Sequence, residues 1–144
     1  MLSQECQVIQ GGTGDLIMVA GYDHEGNQIV PKLTATAVKR EHANVFDPHA
    51  QPMSFQGGRI DWWGRDPAWQ DRLGFRGKED VESADGQWTR LDITCDGSRI
   101  TYRVNGRVAN EATGSSLTRG KILLQSEGAE VYYRKVELTP LRQL

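Results

Sequence analysis

Apolar and polar positions alternate with a period of two along much of this chain, and glycine or proline stands where the alternation breaks. Residues 4–10, QECQVIQ, put Glu5, Gln7 and Ile9 on one face and Cys6 and Val8 on the other, which predicts a strand. GGTGD, residues 11–15, reads as a glycine-rich turn, LIMVA, residues 16–20, as a short apolar strand, and TATAVK, residues 34–39, as another strand. Residues 41–57 have no clear period and carry Pro48 and Pro52, which predicts a loop. From Gln87 onward the signal sharpens. Leu91, Ile93 and Cys95 alternate with Arg90, Asp92 and Thr94, and Asp96-Gly97 is a turn pair. Ile100, Tyr102 and Val104 line one face of the next run, and Asn105-Gly106 is the strongest short hairpin signal available. KILLQSEGAEVYYRKVELTPL, residues 121–141, then reads as a strand, a turn at Glu127-Gly128 and a long final strand. Residues 88–139 therefore predict about four consecutive antiparallel strands. Helical periodicity is nearly absent. The expected fold class is all-β, an antiparallel β-sandwich.

Composition narrows the picture. At 144 residues the chain fits one domain over 1–144. The 17 basic and 19 acidic residues leave a formal net charge of −2, so neither nucleic acid nor an anionic membrane is an expected partner. No stretch has the apolar length of a membrane-spanning helix. LSQECQV after Met1 lacks the charged start and apolar run of a signal peptide, so the chain on its face reads as cytoplasmic. Cys6 and Cys95 sit in strand-like sequence and read as two buried free thiols. With no CxxC or HxxxH spacing, zinc is not expected. Asp15, Asp23 and Glu25 with His24 offer donors to a hard cation such as calcium, but without a DxDxDG loop they read as solvated turn acids. No cofactor is expected. GGTGD is not a phosphate loop, because neither Lys-Ser/Thr nor a helix follows it. His42 and His49 have no neighbours in sequence that define a triad.

The candidate chemistry lies in three places. Residues 57–80 hold three tryptophans, four arginines and four aspartates in a long loop-like stretch, a composition more often functional than connective. The faces of Trp62, Trp63 and Trp69 suit stacking on sugar rings, with Arg59, Arg65 and Asp66 bonding hydroxyls. The alternative is that these tryptophans plug the edge of the sandwich. Trp88 reads as core. Glu5 and Gln7, on one strand face, suit vicinal hydroxyls, and the carboxylate can accept a proton. Gln125, Glu127 and Arg134 form the third group, read either as a site or as an exposed ion pair.

At the C-terminal hairpins a family resemblance emerges. Trp88-x-x-Leu91, DGSRITYRVNG (96–106) and GKILLQSEGAEVYYRKVELTPL (120–141) resemble the end of the 3-keto-disaccharide hydrolase domain family, and ECQVIQGGTGD (5–15) resembles an earlier family segment. The resemblance implies a concanavalin A-like jelly roll. It implies a carbohydrate-active hydrolase or lyase that cleaves a glycosidic bond of a 3-keto sugar. Glu5 and Glu127 are then the candidate base and acid. Gln7, Arg59, Trp62, Trp63, Arg65, Trp69, Gln125 and Arg134 are the candidate substrate contacts, with Arg134 or a bound cation stabilising an enolate. The family's usual opening segments do not occur here, so the chain is expected to be a shortened form. The usual Arg-Asn of the last strand is Arg134-Lys135. Such domains are commonly exported, which sets the resemblance against the cytoplasmic reading. Two other readings stand beside the enzyme. One is a non-catalytic, lectin-like carbohydrate-binding module. The other is an incomplete domain that needs a partner, whose unpaired strand edges favour a homo-oligomer.

Overall fold

A computed structural model describes residues 2–141, and the strands within it are β1 (Ser3–Cys6), β2 (Leu16–Val19), β3 (Gly21–Tyr22), β4 (Gln28–Ile29), β5 (Lys32–Arg40), β6 (Ala43–Phe46), β7 (Pro52–Gln56), β8 (Gly58–Ile60), β9 (Leu91–Asp96), β10 (Arg99–Val104) and β11 (Arg107–Ala112). There is no helix among the described residues. The fold is an all-β sandwich. One layer runs β1-β2-β8 and continues through the parallel bridge Val45–Asp61 to β6-β5-β7; the other is β11-β10-β9. β3 and β4 form a small separate hairpin.

The core lies between the layers. Leu16 and Met18 of β2, Leu33, Ala35 and Ala37 of β5, Phe46 of β6 and Ile60 of β8 meet Ile100 and Tyr102 of β10 and Ala112 of β11. The alternation in β5 explains its half of this core, because Leu33, Ala35 and Ala37 point inward while the intervening residues do not. A second cluster joins Trp62, Val81, Val104 and Ala109. The Asn105-Gly106 turn forms as expected, with both residues at positive φ (49° and 82°), the geometry that an Asn-Gly pair tolerates best.

Several expectations need correction. The strand expected over 4–10 ends at Cys6, and Gln7 instead donates its backbone N–H to the Asp15 carbonyl at the mouth of the glycine turn. Residues 41–57 are not a plain loop. β5 is nine residues long, and β6 pairs with its C-terminal half while β7 pairs with its N-terminal half. The partner strand, not a local period, decides these two strands; Pro52 is tolerated because it opens β7. Of the strands expected over 88–139, three form, and residues 117–141 form none. The chain leaves the second sheet after β11, where Thr113 exchanges backbone bonds with Thr34 and Ser116 donates to the Lys32 carbonyl. The apolar residues beyond are consequently in solvent. Trp88 is about half exposed rather than core, since it precedes β9 instead of lying within it. Cys6 and Cys95 are free thiols; Cys6 is half-buried, and Cys95, on the end strand β9, is exposed.

Candidate functional site

The glycine-rich turn between β1 and β2 organises the site. Gly14 has φ +99°, and a Cβ there would stand 2.5 Å from that of Ala109. A Cβ on Gly12 would stand 2.5 Å from Nη1 of Arg65. The glycines are therefore a matter of close approach: they let an arginine and a second strand press against the turn. Glu82 holds the turn from the far side, accepting the N–H groups of Gly11 (2.9 Å) and Thr13 (3.3 Å). Burial pushes the Glu82 carboxyl up against these bonds.

Asp15 follows the turn and is fully buried, which corrects its reading as a solvated turn acid. Its Oδ1 accepts the backbone N–H of Trp62 at 2.7 Å. Its Oδ2 accepts Nε of Arg59 at 3.1 Å and also receives Nη2 of Arg59 and Nη1 of Arg65. Burial pushes the Asp15 carboxyl up to about 6, with Arg59 and Arg65 pulling the other way. Burial likewise lowers Arg65, and Asp15 opposes that shift. Arg65 stacks on the Trp69 ring, 3.8 Å from its centroid, and Trp69 Nε1 donates to the Gln10 carbonyl at 2.8 Å. Trp62 Nε1 donates to the Gly11 carbonyl at 3.0 Å. One acid, two arginines and two indoles thus lock residues 59–69 onto the turn.

These arginines form part of a polar cleft of about 390 Å³, lined by His42, Ala43, Asn44, Arg59, Asp61 and Arg65. His42 lies in the two-residue turn between β5 and β6, where Glu41 takes a positive φ of 46°. Asp61 joins the cleft from the end of β8, and its Oδ1 is 3.1 Å from Nε of Arg59. The cleft therefore combines two guanidinium groups, a carboxylate, an amide and an imidazole, a set that can bond hydroxyl and carbonyl oxygens and accept a proton.

The residues picked out from the sequence separate in space. Arg59 and Arg65 line the cleft, while Trp69 stacks on Arg65, and Trp62, expected as a sugar contact, is instead fully buried in the second apolar cluster. Trp63 donates Nε1 to the Val108 carbonyl at 2.8 Å, and the Arg107 guanidinium lies 4.7 Å from its ring. Glu5 stands on β1 and accepts from Ser3 Oγ at 2.6 Å, and Gln7 follows the strand. Gln125 and Glu127 bond each other at 2.6 Å in the exposed segment, and Arg134 lies 4.5 Å from the Trp88 ring. Neither Glu5 nor Glu127 is among the residues lining the cleft. Asp23 accepts the backbone N–H and the side-chain amide of Asn27, and also the N–H of Glu25, which together lower its carboxyl, and no cluster of three metal-ligating side chains occurs among the described residues. Asp61, Asn44 and the placement of His42 escaped the sequence reading. The one local hint was Asp15, an acid placed directly before an apolar strand.

An all-β sandwich with a polar cleft anchored by a buried acid defines the class to which this protein belongs. The chain belongs to the 3-keto-alpha-glucoside-1,2-lyase-like domain family, whose model matches residues 5–139. That membership bears out the resemblance read from the hairpins and points to a carbohydrate-active protein. Neither a curated protein nor a solved structure matches the chain.

Proposed function

We propose that this protein cleaves 3-keto α-glucosides by elimination across C1 and C2, in the cleft between the β5–β6 turn and the end of β8. The observation that carries this reading is the pair of arginines, Arg59 and Arg65, held at the cleft by one buried carboxylate. A ketone at C3 acidifies the proton on C2. A base takes that proton, and the electrons of the C–H bond form an enolate whose charge rests on the C3 oxygen. The enolate re-forms the ketone as the C1–O bond breaks, leaving a C1=C2 double bond, and a proton goes to the departing glycosidic oxygen. Addition of water across that double bond completes a net hydrolysis. A fixed guanidinium beside the C3 oxygen stabilises the enolate without reorganising during the reaction. In this reading His42 is the base, Arg59 is the enolate partner, and Asp61 and Asn44 bond sugar hydroxyls. Family membership supports the chemistry.

The test compares turnover of a 3-keto α-glucoside and of its unoxidised parent by the wild type, His42→Gln, Arg59→Met, Glu5→Gln and Glu127→Gln. His42→Gln is expected to lower turnover by about 10²–10⁴ with little change in binding. Arg59→Met is expected to lower it by about 10²–10³. Loss in Glu5→Gln or Glu127→Gln with His42→Gln active would move the chemistry to those carboxylates. Equal binding of both sugars with no turnover by the wild type would replace the enzyme with a lectin-like module.

A further inference from the structure

Hydrogen-bond donors at the cleft are left over, and they are fixed in place. All the nitrogens of a guanidinium group are donors. In Arg59, Nε and Nη2 bond Asp15, and Nε also meets Asp61 Oδ1 at 3.1 Å. In Arg65, Nη1 alone has a partner, Asp15. No acceptor among the described residues bonds Nε or Nη2 of Arg65. Neither atom is sealed in, since the buried side-chain atoms without a partner among the described residues lie on Gln4, Asp80 and Asn110. Both therefore open into the cleft that Arg65 lines.

Arg65 is held rigidly for a surface arginine. Its side chain is 8% exposed, against 35% for Arg59. The Trp69 ring covers one face of the guanidinium, 3.8 Å from ring centroid to Cζ. Asp15 fixes Nη1, and Gly12 leaves just the space that Nη1 fills. A side chain already confined by folding loses little more freedom when a ligand arrives.

The chemistry of that ligand follows from charge and from which nitrogens are free. Asp15 is fully buried, and its oxygens are taken by the Trp62 N–H and the two arginines. The cleft surface thus sets two guanidinium groups against one carboxylate, Asp61, and that carboxylate lies on Arg59. Nε and Nη2 are the pair of an arginine that points side by side, the fork that a carboxylate fills with two parallel bonds. A hydroxyl fills one of the two places. Both arginines reach the same oxygen of Asp15, so their guanidinium groups are neighbours. With Arg59 at the C3 oxygen, the ring atoms next but one are C1, which carries the leaving group, and C5, which carries the carboxylate in a sugar acid. We propose, resting on the sugar reading of the cleft, that Arg65 is a specificity residue for an acidic sugar, a hexuronide whose carboxylate on C5 it holds through Nε and Nη2.

The experiment measures binding of methyl α-glucuronide and methyl α-glucoside by calorimetry, with both sugars unoxidised so that neither is turned over. The wild type is expected to bind the glucuronide at least about tenfold more tightly. Arg65→Lys keeps the charge but loses the fork, and the preference is expected to fall to about twofold. A purely structural role for Arg65 would weaken both sugars alike and leave their ratio unchanged. Circular dichroism checks the fold of the variant. In the wild type itself, the Nε–H resonance of Arg65 in nitrogen-edited NMR spectra should shift with the glucuronide and not with the glucoside. Equal affinity for the two sugars overturns the proposal, as does undetectable glucuronide binding, an unshifted Arg65 resonance, or a ratio that survives Arg65→Lys. Displacement of the glucuronide by an equal concentration of inorganic phosphate also overturns it, because the cleft would then be a plain anion site. Turnover of a 3-keto α-glucoside without any glucuronide preference would leave the elimination chemistry standing and remove the acidic sugar. Glucuronide preference without turnover of either 3-keto sugar would do the reverse.

Discussion

Asp15 concentrates the energetics of the site in one side chain. It is fully buried, yet it anchors two arginines and the backbone of Trp62. Removing one member of such a group strands the others, so Asp15→Ala is expected to cost about 3–5 kcal/mol in urea unfolding. Its raised pKa also has a pH signature. Burial lifts the carboxyl from 3.8 to about 6, so the folded state binds the proton more tightly than the unfolded chain. The stability that Asp15 contributes is then complete below pH 3.8 and is lost as pH rises through 6, by about 3 kcal/mol at 1.36 kcal/mol per pKa unit. Asp15→Asn lacks this titration. The difference between the wild-type and Asp15→Asn unfolding free energies should slope across that window and level off outside it. Gly14 is the other sensitive position. A Cβ there meets Ala109 and must adopt φ +99°, so Gly14→Ala is expected to lose about 2–4 kcal/mol by the same measurement. The sequence marked GGTGD as a turn, but the partners that demand glycine come from residues 65 and 109, beyond any local pattern.

At the scale of elements, the Asn105-Gly106 turn does more than join β10 to β11. Asn105 Oδ1 accepts the Arg90 N–H at 2.9 Å, and its Nδ2 lies 2.9 Å from the Val81 carbonyl and 3.1 Å from Ser83 Oγ. The hairpin tip therefore staples the irregular stretch 81–90 to the second sheet. Asn105→Gly keeps a residue that tolerates positive φ but deletes the staple. Hydrogen exchange at residues 81–90 should accelerate while β10 and β11 stay protected, and global stability should fall by about 1–2 kcal/mol. This hairpin was legible because turn chemistry and alternation are local. β6 and β7 were not, since short strands with weak alternation exist by virtue of the long β5 between them. The reverse holds for residues 121–138, which carry a clear strand pattern but meet no strand among the described residues.

For the whole molecule, Trp62 connects the second apolar cluster to the residues behind the cleft, and its neighbour Trp63 packs against both clusters. Trp62 lies in the second cluster, packs edge-on to Trp63 at 5.2 Å between ring centroids, and bonds both Asp15 and the glycine turn. Trp62→Ala is expected to cost about 3–5 kcal/mol and to weaken the sugar binding proposed for the cleft, because it removes a buried indole and its hydrogen bond to the Gly11 carbonyl, while the backbone N–H donated to Asp15 remains. Binding measured below the denaturation midpoint separates the two effects: Trp63→Ala should leave the Asp15 network in place and affect affinity less.

By itself the sequence determined the all-β class, the positions of β2, β5, β9, β10 and β11, the tight turns between the last three, and the family. All of these rest on periods of two and turn dipeptides, which act over a few residues, or on motifs read in a row. Tertiary structure alone decided that Asp15 is buried among arginines 44 and 50 residues away, that Trp62 is core and Trp88 is not, and that His42, Asn44 and Asp61 share a cleft. Nor could the pattern of residues 121–138 say whether a strand forms. Alternation establishes which faces a strand would have, but the strand exists only where another backbone supplies its hydrogen bonds.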